Sequence, residues 1–193
     1  MQCDLLFPQP VWMEQLKINN DLLYRLCDKI TKMDPKGRQR SNRGGWQSGD
    51  IQSGEHPEMA ALESAIIKMS AQCFADLGCN KKVELHNFWI NINDKYNYND
   101  VHVHPNALLS GVYYLKCSDK SGDIVFPRNF SDGFILAKME EEGNRETRLT
   151  QMFARYKPVV GRAYIFMAHA PHYVEPNIEE EHRISIAFNV GCK

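Results

Sequence analysis

The sequence lacks the features that mark most membrane, secreted and nucleic-acid-binding proteins. No apolar run approaches the roughly 20 residues that a membrane span needs, and the N-terminus carries no apolar signal region. The six cysteines show no CxxC spacing, which favours free thiols in a reduced, cytoplasmic protein. Lys and Arg total 23 against 24 Asp and Glu, giving a net charge of -1. This balance argues against nucleic acid as a partner, since such proteins usually carry a basic face.

The length and the apolar content predict one globular domain. The chain has 193 residues, of which 43% are apolar, and this is enough to bury a core. The pattern of the first 80 residues is helical. Asn20 or Asp21 can cap a helix in which Leu22, Leu26 and Ile30 recur at every fourth position. We therefore expect a single domain over residues 1–193, with helical support and a loop in 1–80 and a β core in 81–193.

A second helix is expected from Pro57 to about Leu77, ending at Gly78. Beyond residue 80 the apolar runs shorten and become strand-like. In VELHNFWININ, for example, Phe88 and Ile90 would face the core while Trp89 and Asn91 face the other side. Short strands preceded by helices predict a mainly β fold, an antiparallel sandwich or barrel with the helices packed outside.

Three histidines form the most informative pattern of the sequence. His102 and His104 are two residues apart in NDVHVHPNALLSGVYYL, so a strand would place both imidazoles on one face. A third candidate, His172, lies far downstream in APHYVEP. Imidazole is a frequent ligand of iron and zinc, and three such groups can cap one face of a metal ion. We interpret these residues as metal ligands, with open positions left for substrate and dioxygen.

A potential anion site follows the third histidine in sequence. Arg183 and Ser185 share one face of the predicted strand RISIAFNV, whereas Ile184 and Ile186 would point into the core. An arginine can bind a carboxylate through two parallel hydrogen bonds, and the serine hydroxyl can add a third. The order of histidine pair, distant histidine and Arg-x-Ser therefore indicates a mononuclear iron site with an anionic cosubstrate.

The motifs HVHPNALLSGVYYL, SGDIVFPR and EHRISIAFN, together with the distal His172, resemble those of the iron(II)- and 2-oxoglutarate-dependent oxygenases. The resemblance covers about residues 85–190. It is nearest to a group related to the prolyl hydroxylases that is found in marine bacteria and phages. It implies a double-stranded β-helix, a cupin-like jelly roll, that binds Fe(II) and 2-oxoglutarate. Such an enzyme would couple decarboxylation of 2-oxoglutarate to succinate with oxidation of a small molecule or a protein side chain, and the expected oxidation is a hydroxylation.

The resemblance also implies roles for particular residues. His102, His104 and His172 would bind the metal, and Arg183 and Ser185 would hold the far carboxylate of 2-oxoglutarate, with Asn91 and Tyr114 nearby. Tyr113 and Tyr114 point opposite ways on a strand, and Tyr114 is preferred because it is in phase with Ser110. The Gly-rich loop 41–54 and the polar segment 129–157 are candidate walls or lids over the substrate.

One position departs from the pattern of the wider family. His104 stands where a carboxylate is expected. Three arrangements are compatible with this departure: coordination of the metal by His104 itself, water or an anion in that position, or completion of the site by Asp100 or Asp123. Two alternative functions therefore stay open: a three-histidine, cupin-like dioxygenase that does not use 2-oxoglutarate, and a β-sandwich binding module without catalysis.

Overall fold

A computed structural model of the chain describes residues 1–128 and 147–193. Within these ranges the chain forms eleven strands and two α-helices. The helices are α1 (Asn20–Met33) and α2 (Ala60–Asp76), the latter preceded by a 3-10 turn at Pro57–Met59. The strands are β1 (Val11–Gln15), β2 (Asn42–Arg43), β3 (Trp46–Gln47), β4 (Val83–Asn93), β5 (Tyr98–His102), β6 (Leu109–Lys116), β7 (Ile124–Pro127), β8 (Phe153–Tyr156), β9 (Arg162–Met167), β10 (His172–Val174) and β11 (Arg183–Cys192).

The strands build two antiparallel sheets. The larger sheet has the order β1-β9-β6-β11-β4-β3, and the smaller has the order β2-β5-β10-β7-β8. One apolar core lies between the helices and the larger sheet. A second, smaller core lies between the sheets and contains Tyr114, Phe126 and Phe166. This arrangement confirms the predicted β fold with helices outside.

Strand β11 is the central element that connects the core with the space between the sheets. It pairs with β4 on one side and β6 on the other. Because side chains alternate along a strand, Ile184, Ile186 and Phe188 pack in the core beneath the helices. The intervening residues Arg183 and Ser185 line the space between the two sheets. The alternation read from the sequence therefore agrees with the structure along this strand.

The helices follow their predicted positions with two differences at α1. The helix is capped by Asn19, whose side chain accepts a hydrogen bond from the N–H of Asp21, so the prediction of a cap at Asn20 or Asp21 was wrong. Leu22 is 43% exposed whereas Leu23 is fully buried. The buried face of α1 therefore includes Leu23 instead of Leu22, with which the predicted apolar row began.

Two segments, 41–54 and 129–157, were predicted to form walls or lids over the substrate. Part of the predicted lid, residues 129–146, lies outside the described residues, and its C-terminal part contains β8, which pairs with β7. The loop 41–54 contains β2 and β3, one in each sheet. No helix in the described ranges is long and apolar enough to cross a membrane.

Candidate metal and cosubstrate site

Three histidines converge between the two sheets. His102 ends β5 and His172 begins β10, and these two residues are directly opposite each other in the antiparallel ladder. His104 follows β5 rather than belonging to it, and its backbone N–H donates to the carbonyl of Ala168. One ring nitrogen from each of the three histidines lies within 4.8 Å of the others. The structure thus brings together residues that are up to 70 positions apart.

Backbone carbonyls fix the orientation of two of the rings. Nδ1 of His102 is 2.7 Å from the carbonyl oxygen of Asp100, and Nδ1 of His172 is 2.9 Å from that of Ala170. A carbonyl can only accept, so each Nδ1 must carry the proton and donate it. The Nε2 atom of each of these two rings is then unprotonated, and its lone pair is available to bind a metal.

The spacing of the His104 and His172 rings fits a metal ion. Nε2 of His104 and Nε2 of His172 are 3.3 Å apart. Metal–imidazole bonds are about 2.1 Å long, which separates neighbouring ligand nitrogens by about 3 Å. Donor type, orientation and separation therefore agree with a site for a divalent cation such as Fe(II).

The surroundings keep the imidazoles neutral. The ring of Phe166 lies 4.5 Å and that of Phe126 lies 5.7 Å from the ring of His172. Burial, reinforced by the neighbouring His102, lowers the pKa of His172 to about 3 and that of His104 to about 4. Burial also lowers the pKa of His102. Protons therefore compete weakly with a metal for these nitrogens at neutral pH.

The two carboxylates considered as further ligands are engaged elsewhere. The carboxylate of Asp100 is 2.5 Å from the guanidinium of Arg43, and that of Asp123 is 3.9 Å from the ammonium of Lys157. Within the described ranges, the ligand cluster consists of the three histidines alone. In the described residues, a third histidine, His104, therefore accompanies His102 and His172 where a carboxylate was expected.

Arg183 presents a buried cation without a counter-ion. It is 1% exposed, and its Nη1 donates to the carbonyls of Ser121, Gly122 and Glu175. Nη2 is buried and has no hydrogen-bond partner, and no ion pair to Arg183 is found in the described part of the chain. Burial lowers the pKa of the guanidinium, which shows that the site is costly for a charge without an anion.

The turn that holds Arg183 depends on a glycine. Gly122 has φ of +89°, and a Cβ there would lie 2.1 Å from the carbonyl oxygen of Glu175. Only a residue without a side chain allows the backbone near 122 to approach that of Glu175 so closely. This approach places both carbonyls around one guanidinium nitrogen, so the SGD turn recognised in the sequence positions the arginine.

The other predicted cosubstrate residues form a row across the larger sheet. Ser185 is directly opposite Asn91 on β4 and Tyr114 on β6, and all three line the cavity beside Arg183. Tyr114 is buried, and burial raises the pKa of its hydroxyl. Tyr113 points to the other face, where its hydroxyl donates to Asn20 of α1.

Sequence reasoning missed several residues of the cavity, which has a volume of about 730 Å³. Gln47 extends the row, since it is opposite Asn91 on β3. Trp89 stacks on His104 with ring centroids 5.5 Å apart. Asn87 shares the face of Trp89 and Asn91, so the alternation along β4 could have identified it. The assignment of Gln47 required the pairing of β3, which no local pattern indicates.

The fold and the site together define a double-stranded β-helix oxygenase. The sequence matches the model of the family described as "Putative 2OG-Fe(II) oxygenase" over residues 87–189, and the chain belongs to this family. It is therefore an oxidoreductase that uses Fe(II) and 2-oxoglutarate. No curated protein matches the chain in sequence.

Several solved structures share the fold. A prolyl-4-hydroxylase from Pseudomonas putida is 13% identical, with a TM-score of 0.64 and coverage of 96% of this chain and 94% of the other. The viral collagen prolyl hydroxylase of Paramecium bursaria Chlorella virus-1, solved with 2-oxoglutarate, is 14% identical, with a TM-score of 0.59 and coverage of 93% and 94%. HygX from Streptomyces hygroscopicus, with nickel, 2-oxoglutarate and hygromycin B bound, is 11% identical, with a TM-score of 0.64 and coverage of 96% and 84%. At these identities the likeness concerns the fold.

Proposed function

We propose that this oxygenase is a hydroxylase whose iron(II) is bound by His102, His104 and His172. The observation that carries the proposal is the convergence of one nitrogen from each ring within 4.8 Å. The carbonyls of Asp100 and Ala170 hold two of the rings with Nε2 unprotonated. Three ligands on one side of an ion leave positions for a bidentate cosubstrate and for dioxygen.

We further propose that Arg183 and Ser185 bind the far carboxylate of 2-oxoglutarate. The unpaired Nη2 of Arg183 and the hydroxyl of Ser185 are donors in a buried cavity that also contains the histidines. Asn91, Tyr114 and Gln47 add polar groups to the same end of the cavity. A dicarboxylate placed here would give the buried guanidinium the anion that it lacks, and such charge-assisted bonds are strong.

The chain's own residues contribute binding, orientation and exclusion of water. When bound, iron(II) and 2-oxoglutarate supply the oxidising chemistry, with release of succinate and carbon dioxide. Arg183 and Ser185 would orient the cosubstrate so that its keto acid end faces the histidines. Phe126 and Phe166 keep one side of the metal site apolar, which strengthens electrostatic interactions inside the cavity.

We also propose the class of substrate, the cellular location and the domain organisation. The solved structures with the same fold include a prolyl hydroxylase in complex with a peptide fragment and a protein with hygromycin B bound, which supports a protein side chain or a small molecule as substrate. The cysteines of the described residues are free, which supports a reduced, cytoplasmic setting. The shared core of helices and larger sheet supports treating residues 1–193 as one domain.

The proposal is tested with anaerobic protein, iron(II) and 2-oxoglutarate. We expect the weak visible charge-transfer band of an iron-chelated 2-oxo acid, and succinate after dioxygen is admitted. The band should be lost in His172→Ala but kept in His169→Ala, because His169 is exposed and absent from the cavity lining. If the parent protein binds iron but forms neither band nor succinate, the proposal is wrong.

His104 favours one alternative, a three-histidine dioxygenase that oxidises its substrate without 2-oxoglutarate. Such an enzyme has no need of a buried arginine at the end of the cavity. Equal binding of 2-oxoglutarate by the parent protein and by Arg183→Ala would favour the alternative.

A further inference from the structure

Beyond the metal site, the larger sheet carries a second polar row. Asn87 on β4 is directly opposite Asn189 on β11, and both line the cavity. Along β11, Asn189 lies four positions from Ser185, which begins the first polar row. Ala187 and its partner Trp89 lie between the two rows. His104 stacks on Trp89. The histidines therefore lie between the Arg183 end and the Asn189 end, and the latter is free for the substrate.

Hydrogen bonds join this row to Asp50. Nδ2 of Asn87 donates to the carboxylate of Asp50 at 2.9 Å, and Nδ2 of Asn189 donates to Oδ1 of Asn87 at 3.1 Å. An ionised carboxylate only accepts, so Asp50 fixes the orientation of the Asn87 amide. The Asn87 carbonyl in turn fixes the amide of Asn189.

The direction of this relay leaves an acceptor without a donor. Oδ1 of Asn189 is buried and has no hydrogen-bond partner among the described residues. A buried acceptor without a partner is costly. At the other end of the relay, Asp50 is exposed, and its carboxylate accepts a hydrogen bond from Asn87. The Asp50 end of the relay is therefore the acceptor that a hydrogen-bond-donating ligand in the cavity can reach.

An aromatic face stands next to these acceptors. Trp89 follows Asn87 by two residues on the same face of β4, a separation of about 6.8 Å along an antiparallel strand. It is half-buried and lines the cavity. A carboxylate and an indole face are groups that attract an ammonium ion, the indole through its π-electrons.

We infer that Asp50 and Trp89, with Asp50 held in place by the amide relay of Asn87 and Asn189, form the binding site for an ammonium group of the substrate. The substrate is thus an amine, with an oxidisable carbon on the side of the ammonium group that faces the histidines. This inference rests on the proposed function, because it takes the opposite end of the cavity as the cosubstrate site. An ammonium group provides three donors and no acceptor, which matches the chemistry of the row.

The arginines at the cavity do not oppose this assignment. Arg43 is neutralised by Asp100 at 2.5 Å, and Arg40 is exposed at the rim. Both belong to the segment that leads into the smaller sheet, opposite the row of Asn87. A carboxylate elsewhere in the substrate could meet Arg40, so amines with and without a carboxylate must be compared.

The test uses the anaerobic iron(II)–2-oxoglutarate complex of the full chain and matched ligands. Cadaverine and lysine are the amine probes, and pentanediol and N,N′-diacetylcadaverine are the uncharged counterparts of cadaverine. Binding is followed by calorimetry and by the change in the charge-transfer band. We expect the amines to bind and their counterparts to bind at least about tenfold more weakly, a difference of about 1.4 kcal/mol.

Variants then assign the effect to the row. Asp50→Asn should weaken amine binding about fivefold, since an exposed ion pair contributes modestly, and Trp89→Leu should also weaken it. Asp28→Asn is the matched control, because Asp28 is an exposed helix residue paired with Lys32. Equal binding of charged and acetylated probes, or no effect of either substitution, would overturn the inference.

The failure of the inference can be distinguished from the failure of the proposed function. A band that forms in the parent protein without any amine binding would refute the amine site alone. Absence of the band would refute the proposed function, and with it the assignment of the Asn189 end to substrate.

Discussion

The replacement of Arg183 by methionine distinguishes the effect of the buried charge on stability from its effect on the binding of 2-oxoglutarate. Methionine has a similar length and no charge. In the cosubstrate-free protein the substitution removes a guanidinium that is 1% exposed and has an unpaired Nη2. It also removes three hydrogen bonds to backbone carbonyls, two of them longer than 3.2 Å. We therefore expect opposing effects on stability and a single strong effect on cosubstrate binding.

The substitution should change the free energy of unfolding little and the affinity for 2-oxoglutarate strongly. Burying an ion costs several kcal/mol, and hydrogen bonds to charged groups contribute about 1.5–3 kcal/mol each, less when long. These terms nearly cancel, so the free energy of unfolding without cosubstrate should change by less than about 2 kcal/mol. Removing one partner of a buried charge pair costs about 2–5 kcal/mol of binding. The Kd for 2-oxoglutarate should therefore rise at least about 30-fold.

The assay is a titration of the iron(II)-loaded protein with 2-oxoglutarate, followed through the charge-transfer band. Chemical denaturation of the cosubstrate-free protein reports on stability. Arg155→Met is the matched control, because Arg155 is a partly exposed arginine paired with Glu175. A Kd for Arg183→Met within threefold of the parent value would refute the role of the guanidinium. Severe destabilisation without cosubstrate would show that its carbonyl contacts outweigh the cost of burying it.

Three further predictions concern the histidines and the cysteines. His172→Ala should lower the bound iron, measured by metal analysis, to well below one equivalent, whereas His169→Ala should not. His104→Asp should keep iron, because a carboxylate is also a ligand, but bind 2-oxoglutarate more weakly in the same titration, since it adds a negative charge; tighter binding would contradict this reasoning. Cys79 and Cys192, whose Sγ atoms are 3.6 Å apart, should lose two hydrogen atoms and form a disulfide on treatment with hydrogen peroxide, and peptide mass spectrometry would detect the link or its absence.

Local patterns predicted both helices and most of the strands, but not β1, β2 and β3, which lie in residues read as helical or loop, nor β8, which lies in the polar segment 129–157. The alternation along β4 and β11 assigns their faces, because one face of each strand is apolar and the other polar. The helix stripe of α2 and its end at Gly78 are equally local. The cap of α1 was misplaced by one residue, because Asn19, Asn20 and Asp21 are all good capping residues and the choice depends on tertiary packing.

The site itself combines local and long-range information. Residue types and order indicated the histidines and Arg183, but the pairing of His102 with His172 exists only through the β5–β10 ladder. The ion pair of Asp100 could not be predicted either, because its partner Arg43 comes from β2. The relay from Asp50 to Asn189 spans 139 positions and requires β4 between them. Such contacts follow from topology, which the local sequence does not encode.

The neutral ligand set and the sequestered carboxylate lead to a final prediction about coupling. Because Asp100 is held by Arg43 while its backbone carbonyl orients His102, the carboxylate nearest to the proposed ligands in sequence is kept away from the proposed metal site. Three imidazole ligands would then leave the charge of iron(II) to be balanced by the cosubstrate. Iron and 2-oxoglutarate should therefore each strengthen the binding of the other by the same factor, and more strongly in the parent protein than in His104→Asp. Calorimetric titrations of iron with and without 2-oxoglutarate would measure that factor, and an equal factor in both proteins would contradict this view of the charge balance.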